Sequence, residues 1–123
     1  GERVMFVRET GKADVQLEAF GTQPQASKDI LFRMALYNGA KANLFVSNGP
    51  ASLAWFSDKP WLMFCHPEPE GEEGYKPNMP STWRSAMGID VGEQWPWAKE
   101  NQRIIWQKDH YENLVEAWRN YIA

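Results

Sequence analysis

The run from Ala42 to Cys65, ANLFVSNGPASLAWFSDKPWLMFC, constrains the fold more than any other stretch of the chain. Asn43 to Ser47 carries Leu, Phe and Val and reads as a strand. Asn48-Gly49 breaks it. Pro50 suits the first position of a helix, because its missing N–H and fixed φ cost little there. Ala51 to Phe56 continue as a short helix, and Lys59-Pro60 stops it. Trp61 to Cys65 is a second apolar run of strand length. A strand that runs into a glycine turn and a helix start places the N–H groups of Ala51 and Ser52 at the carboxyl edge of a sheet. Phosphate or carboxylate binds well there.

The flanking segments extend this alternation. Arg3 to Val7 and Val15 to Phe20 (VQLEAF) read as strands. Arg8 to Asp14 is too short for a parallel crossover, which needs a dozen residues or more. The pair is therefore either an N-terminal hairpin or what remains of a longer unit. Ser27 is expected to cap a helix that holds Asp29 in its first turn and closes at Gly39. Its apolar residues lie on more than one side, which predicts burial. His66 to Pro80 (HPEPEGEEGYKPNMP) is expected to be an acidic loop. Ser81 to Met87 suits a short helix, Arg103 to Gln107 a last strand, and Asp109 to Ile122 a helix. Asp109 and Glu112 give that helix a capping-box start, and Leu114, Val115, Trp118, Tyr121 and Ile122 an apolar face. The order predicts one α/β domain over residues 1–123. It is expected to be a Rossmann-like three-layer unit with a mainly parallel sheet of about five strands and the C-terminal helix packed on the sheet.

The charge of −3 in 123 residues is concentrated in the acidic loop, where Glu68, Glu70, Glu72 and Glu73 face Lys76 alone. No basic surface for nucleic acid is implied. One cysteine excludes an internal disulfide and suits a reducing compartment. No apolar run reaches the roughly 18 residues of a membrane span. GERVMFVRET lacks the order of a signal peptide, so a cytoplasmic location is expected.

Few residue patterns carry chemistry. No G-x-S-x-G elbow and no G-x-G-x-x-G fingerprint occurs, and no catalytic base stands out. No metal site is expected, because Cys65 and His66 are adjacent and the glutamates lack a calcium-loop pattern. His66 follows a strand and either faces the same crevice as the Asn48–Gly49 turn or lies on the surface. Arg84 either clamps a phosphate or pairs with the glutamates. Trp106 and Trp118 suit the core. Trp95 and Trp97, which flank Pro96, are the two tryptophans retained as candidate ligand contacts.

From Ser27 to Ala123 the chain resembles the C-terminal half of nucleotide-sugar glycosyltransferases of the GT-B architecture, in the style of bacterial heptosyltransferase-like enzymes. The motifs that carry this are LYNGA, ANLFVSN, NGPASLAWF, PWLMF and QWPWAKENQRIIW. The resemblance implies that Ser47, Asn48, Gly49, Pro50, Ala51 and Ser52 lie beside the donor diphosphate. It implies glycosyl transfer in envelope polysaccharide synthesis, with a nucleotide-sugar as substrate and no cofactor. Asn48 departs from the family's usual acidic or serine residue before the glycine. Such enzymes take their acceptor from a first domain that this chain does not contain, so little transfer activity is expected from it alone. The alternative reading is a non-catalytic α/β module that acts through a partner chain or through self-association at an unpaired sheet edge.

Overall fold

A computed structural model describes residues 3–7, 21–47, 49–69 and 78–122. The chain divides into two compact units, Gly1–Ala40 and Lys41–Ala123. In the first, β1 (Met5–Phe6) pairs in parallel with β2 (Gly21–Thr22). The described partner of β1 is thus a parallel strand, and this pairing does not test the expected hairpin. The partner is a Gly-Thr dipeptide that reads as loop in the sequence, and the expected strand from Val15 to Phe20 lies outside the described residues. The Gln23 N–H donates to the Phe6 carbonyl at 3.0 Å and continues this pairing.

The expected helix from Ser27 is two helices, α1 (Pro24–Lys28) and α2 (Ile30–Gly39). Pro24 starts α1, as its fixed φ allows. Asp29 is extended (φ −123°) and breaks the run. Its carboxylate accepts the N–H groups of Leu31 at 2.9 Å and Phe32 at 3.2 Å. Asp29, not Ser27, is therefore the cap of the longer helix, because an acidic side chain satisfies the orphan donors of a helix start. The expected burial of this helix is also corrected. No residue of α2 is buried, and Ile30, Leu31, Phe32 and Met34 are exposed. Among the described residues, two strands of two residues each offer little surface for a helix apolar on several sides.

The second unit holds β3 (Asn43–Val46), α3 (Ser52–Trp55), β4 (Trp61–Phe64), α4 (Pro80–Thr82), β5 (Gln102–Ile105) and α5 (Tyr111–Ile122). A π-helical turn, Trp83–Met87, follows α4 and ends on Gly88 in the left-handed region (φ +77°), where glycine carries no Cβ penalty. The strands form one parallel sheet in the order β3-β4-β5. Asn43 pairs with Trp61, and Trp61 with Gln102. The α/β class is as expected. Among the described residues, however, the strands are divided between a three-stranded and a two-stranded sheet, not joined in one sheet of about five.

β4 is central, and all four of its residues are buried, as a parallel strand covered on both faces requires. On one face Leu62 and Phe64 pack with Ala117, joined by Ile105, Leu114 and Tyr121. The C-terminal helix therefore lies on the sheet, and the Tyr121 hydroxyl donates to the Lys41 carbonyl at 2.9 Å. The other face is tryptophan. Trp95 lies 5.1 Å from Trp55, 6.1 Å from Trp61, 5.9 Å from Trp83 and 5.3 Å from Trp97, ring centre to ring centre. Trp83 meets Trp106 edge-on at 4.9 Å. Six of the seven tryptophans thus form one connected group.

Gln102, only 1% exposed, ties this layer to the sheet. Its amide NH₂ donates to the carbonyls of Ser57 at 2.7 Å and Lys59 at 2.8 Å, and its oxygen accepts the Lys99 N–H at 3.0 Å. Replacing Gln102 with Leu keeps the volume and strips three part-buried backbone hydrogen bonds of their partner. The Gln102→Leu variant is expected to lose about 2–4 kcal/mol in urea denaturation, since each unmet buried group costs roughly 1–3 kcal/mol. A loss below about 0.5 kcal/mol, the range of neutral surface changes, contradicts this role.

Candidate functional site

The register fixes what lies at the carboxyl edge of the three-stranded sheet. Val46, Phe64 and Ile105 stand in line across it. The chain therefore leaves the sheet side by side at Ser47, Cys65 and Trp106. The Ser47 N–H donates to the Phe64 carbonyl at 3.3 Å and the Cys65 N–H to the Ile105 carbonyl at 2.9 Å. His66, next along from Cys65, is exposed at this edge.

The turn after β3 is tighter than the sequence suggests. Asn48 lies outside the described residues. Gly49 and Pro50 are exposed, and a Cβ added at Gly49 would meet open space. Ala51 is 1% exposed and belongs to the interior. Ser52 was expected to offer a free N–H and hydroxyl to an anion. Instead its N–H donates to the Gly49 carbonyl at 3.1 Å, and its hydroxyl donates to the same oxygen at 2.6 Å. Leu53 and Ala54 repeat the pattern toward Pro50 and Ala51 at 3.2 and 2.9 Å. These three-residue bonds tighten a helix of a single turn, and they commit its N–H groups to its own carbonyls. What the turn presents outward is the backbone of Gly49 and Pro50.

The remaining candidates separate. Of the partners expected for Arg84, Glu70, Glu72 and Glu73 lie outside the described residues. Arg84 Nε donates to the Asp90 carboxylate at 2.7 Å, on a surface where both side chains are well exposed. Exposed pairs of this kind contribute at most about 1 kcal/mol. Trp95, 4% exposed, is removed from the ligand contacts, because the sheet face buries it and its indole N–H donates to the Met87 carbonyl at 2.9 Å. Trp97 is 47% exposed and stacks on Trp95 at 15° and on Phe56 at 28°. Phe56 is 74% exposed, so an aromatic stack runs from the core to the surface beside the end of α3. Phe56 and the two glutamines Gln94 and Gln102 were not singled out in the sequence. The available signal was a polar residue at the head of the apolar run QRIIW.

Cys65 is buried, and desolvation pushes its thiol pKa up to about 11. The Trp83 indole N–H works against that rise and Glu68 adds to it, although Trp83 makes no hydrogen bond of full geometry. The thiol therefore remains protonated and unreactive at neutral pH. Among the described residues no group of three His, Cys, Asp or Glu side chains is placed to hold a metal ion. No described helix is long and apolar enough to cross a membrane.

A pH dependence follows from the thiol. Below its ordinary pKa of 9.0 it is neutral in both folded and unfolded chains. Above that value the unfolded chain releases the proton, while the folded chain holds it to about 11. Stability contributed by the neutral thiol is therefore lost as the pH rises through this window, at up to about 1.4 kcal/mol per pH unit. Cys65→Ala is expected to show a shallower fall in denaturation midpoint over that range than the parent chain, and an equal fall contradicts the assignment. In comparisons with known proteins, the chain matches no family model, no curated protein and no solved structure.

Proposed function

We propose that the chain is the donor-side α/β module of a glycosyltransferase-like protein, and that a nucleotide-sugar meets it at the carboxyl edge of β3 and β4. The supporting observation is the side-by-side exit of Ser47 and Cys65 from paired parallel strands, with exposed Gly49 and Pro50 beyond one and exposed His66 beyond the other. Ligands of open parallel sheets bind outside the carboxyl ends of the strands. In this reading the backbone of Gly49 approaches the diphosphate, His66 donates to a phosphate oxygen, and Trp97 with Phe56 offers an aromatic face to the sugar or base. Ser47, Pro50, Ala51 and Ser52 shape the turn. Arg84 assists only after exchanging Asp90 for phosphate. The chain needs a second domain or chain for the acceptor, and no catalytic base is assigned.

A second reading rests on a different observation. In a parallel pair the backbone groups of alternate residues face one neighbour. Asn43, Phe45 and Ser47 face β4, which directs those of Leu44 and Val46 to the outer edge of β3. Both side chains are exposed, and the strand carries no charge or proline to guard that edge. This favours a module that acts by accepting a further strand.

Thermal melting against a panel of nucleoside diphosphates and nucleotide-sugars tests the first reading. A ligand at about a hundred times its dissociation constant is expected to stabilise the fold by roughly 2.7 kcal/mol. His66→Ala is expected to reduce the shift and Arg84→Ala to leave most of it. The absence of any shift across the panel, with a folded and monomeric chain, removes support from the donor reading.

A further inference from the structure

We propose that Gln94 is an edge guard, its side-chain amide standing in for a neighbouring strand on β5 and keeping that edge from recruiting another chain. In a parallel sheet the N–H and C=O of one residue point to the same side. Arg103 and Ile105 face β4, since the Cys65 N–H donates to the Ile105 carbonyl. Gln102 and Ile104 therefore face away from the sheet. An open row of this kind is a template for strand addition.

The row is met from within at both groups of Ile104 and at the Gln102 N–H. Gln94 Nε2 donates to the Ile104 carbonyl at 2.9 Å, and Gln94 Oε1 accepts the Ile104 N–H at 2.7 Å. This is the paired donor and acceptor that a strand would supply, and only one orientation of the amide satisfies both bonds. The Gln102 N–H is met in the same way by the Lys99 carbonyl at 2.9 Å. Gln94 is held in place by its neighbours. The Trp95 indole is locked to Met87, and the Trp106 indole N–H donates to the Glu93 carbonyl at 2.9 Å. The irregular segment between Gly88 and Asn101 thus covers an edge of the sheet without being a strand. Within Lys41–Ala123 the described residues provide no such cover at Leu44 and Val46 of β3, so the guard acts on the β5 edge alone. Two open sides would permit open-ended assembly.

The test is the assembly state of the full chain by light scattering over a concentration series. Gln94→Ala is expected to assemble further than the parent chain at the same concentration, with unchanged far-UV circular dichroism. Gln94→Glu retains an acceptor for the Ile104 N–H and sets a like charge on every copy, and it is expected to remain at the parent's state. A folded Gln94→Ala chain with the parent's assembly state overturns the proposal, as does Gln94→Glu assembling as far as Gln94→Ala. Should Gln94→Ala not fold, amide hydrogen exchange of the parent decides. Protection at Ile104 supports the guard, and exchange at the rate of an open edge overturns it.

Discussion

Packing of Trp95 against one face of β4 is the constraint on which the second unit depends. A three-stranded sheet with four-residue strands is small, and helix α5 covers only one face of it. Without a second layer Trp61 and Met63 would face water. The chain supplies that layer from connections, not from a long helix. Trp55 comes from the single turn of α3, Trp83 from the π-helical turn, and Trp95 and Trp97 from the irregular segment. Large planar side chains let short, irregular backbone bury much apolar surface per residue, and tilted or edge-on pairs add roughly 0.5–1.5 kcal/mol each beyond burial.

Irregular backbone brings polar groups into that layer, and amide side chains answer them. Gln102 meets two carbonyls and one N–H of the flanking loops. Gln94 meets both backbone groups of Ile104. The Trp55 indole finds the Met63 sulfur at 3.2 Å, and that of Trp97 the Trp55 carbonyl at 3.4 Å. Among the described residues of this layer the Trp61 and Trp83 indole nitrogens are the exceptions, buried without a well-formed hydrogen bond. Packing outweighs that cost at both positions, which lie at the centre of the aromatic layer and are fully buried.

How much of this was legible follows from the range of each signal. β3, β4 and α5 were readable because their patterns are local: two apolar runs around an Asn-Gly-Pro break, and one amphipathic face. The expected last strand, Arg103 to Gln107, starts one residue late and ends two residues beyond β5, since Gln102 reads as polar until its hydrogen-bond partners are known. The sequence reads as one helix without a break at Asp29, because Ser27 and Asp29 are both good caps, and only Asp29 is extended. The Gly49–Pro50 turn is legible in the sequence, but the free N–H group expected at Ser52 is folded back onto Gly49. A helix start advertises free N–H groups only when the helix is long enough not to fold them back onto its own carbonyls, and α3 is not. Trp95 and Trp97 look alike in sequence, being separated by a single proline. The sheet face decides that one is core and the other surface.

The most direct test of this account is urea denaturation of Trp95→Ala, followed in parallel by far-UV circular dichroism and tryptophan fluorescence. If Trp95 joins the connecting segments to the sheet, the variant loses about 3–5 kcal/mol, as large aromatic truncations in a packed core do. The two probes then report one shared transition at a lower midpoint. A far-UV midpoint unchanged from the parent, with only the fluorescence altered, would contradict the account and show that the sheet stands without its tryptophan layer.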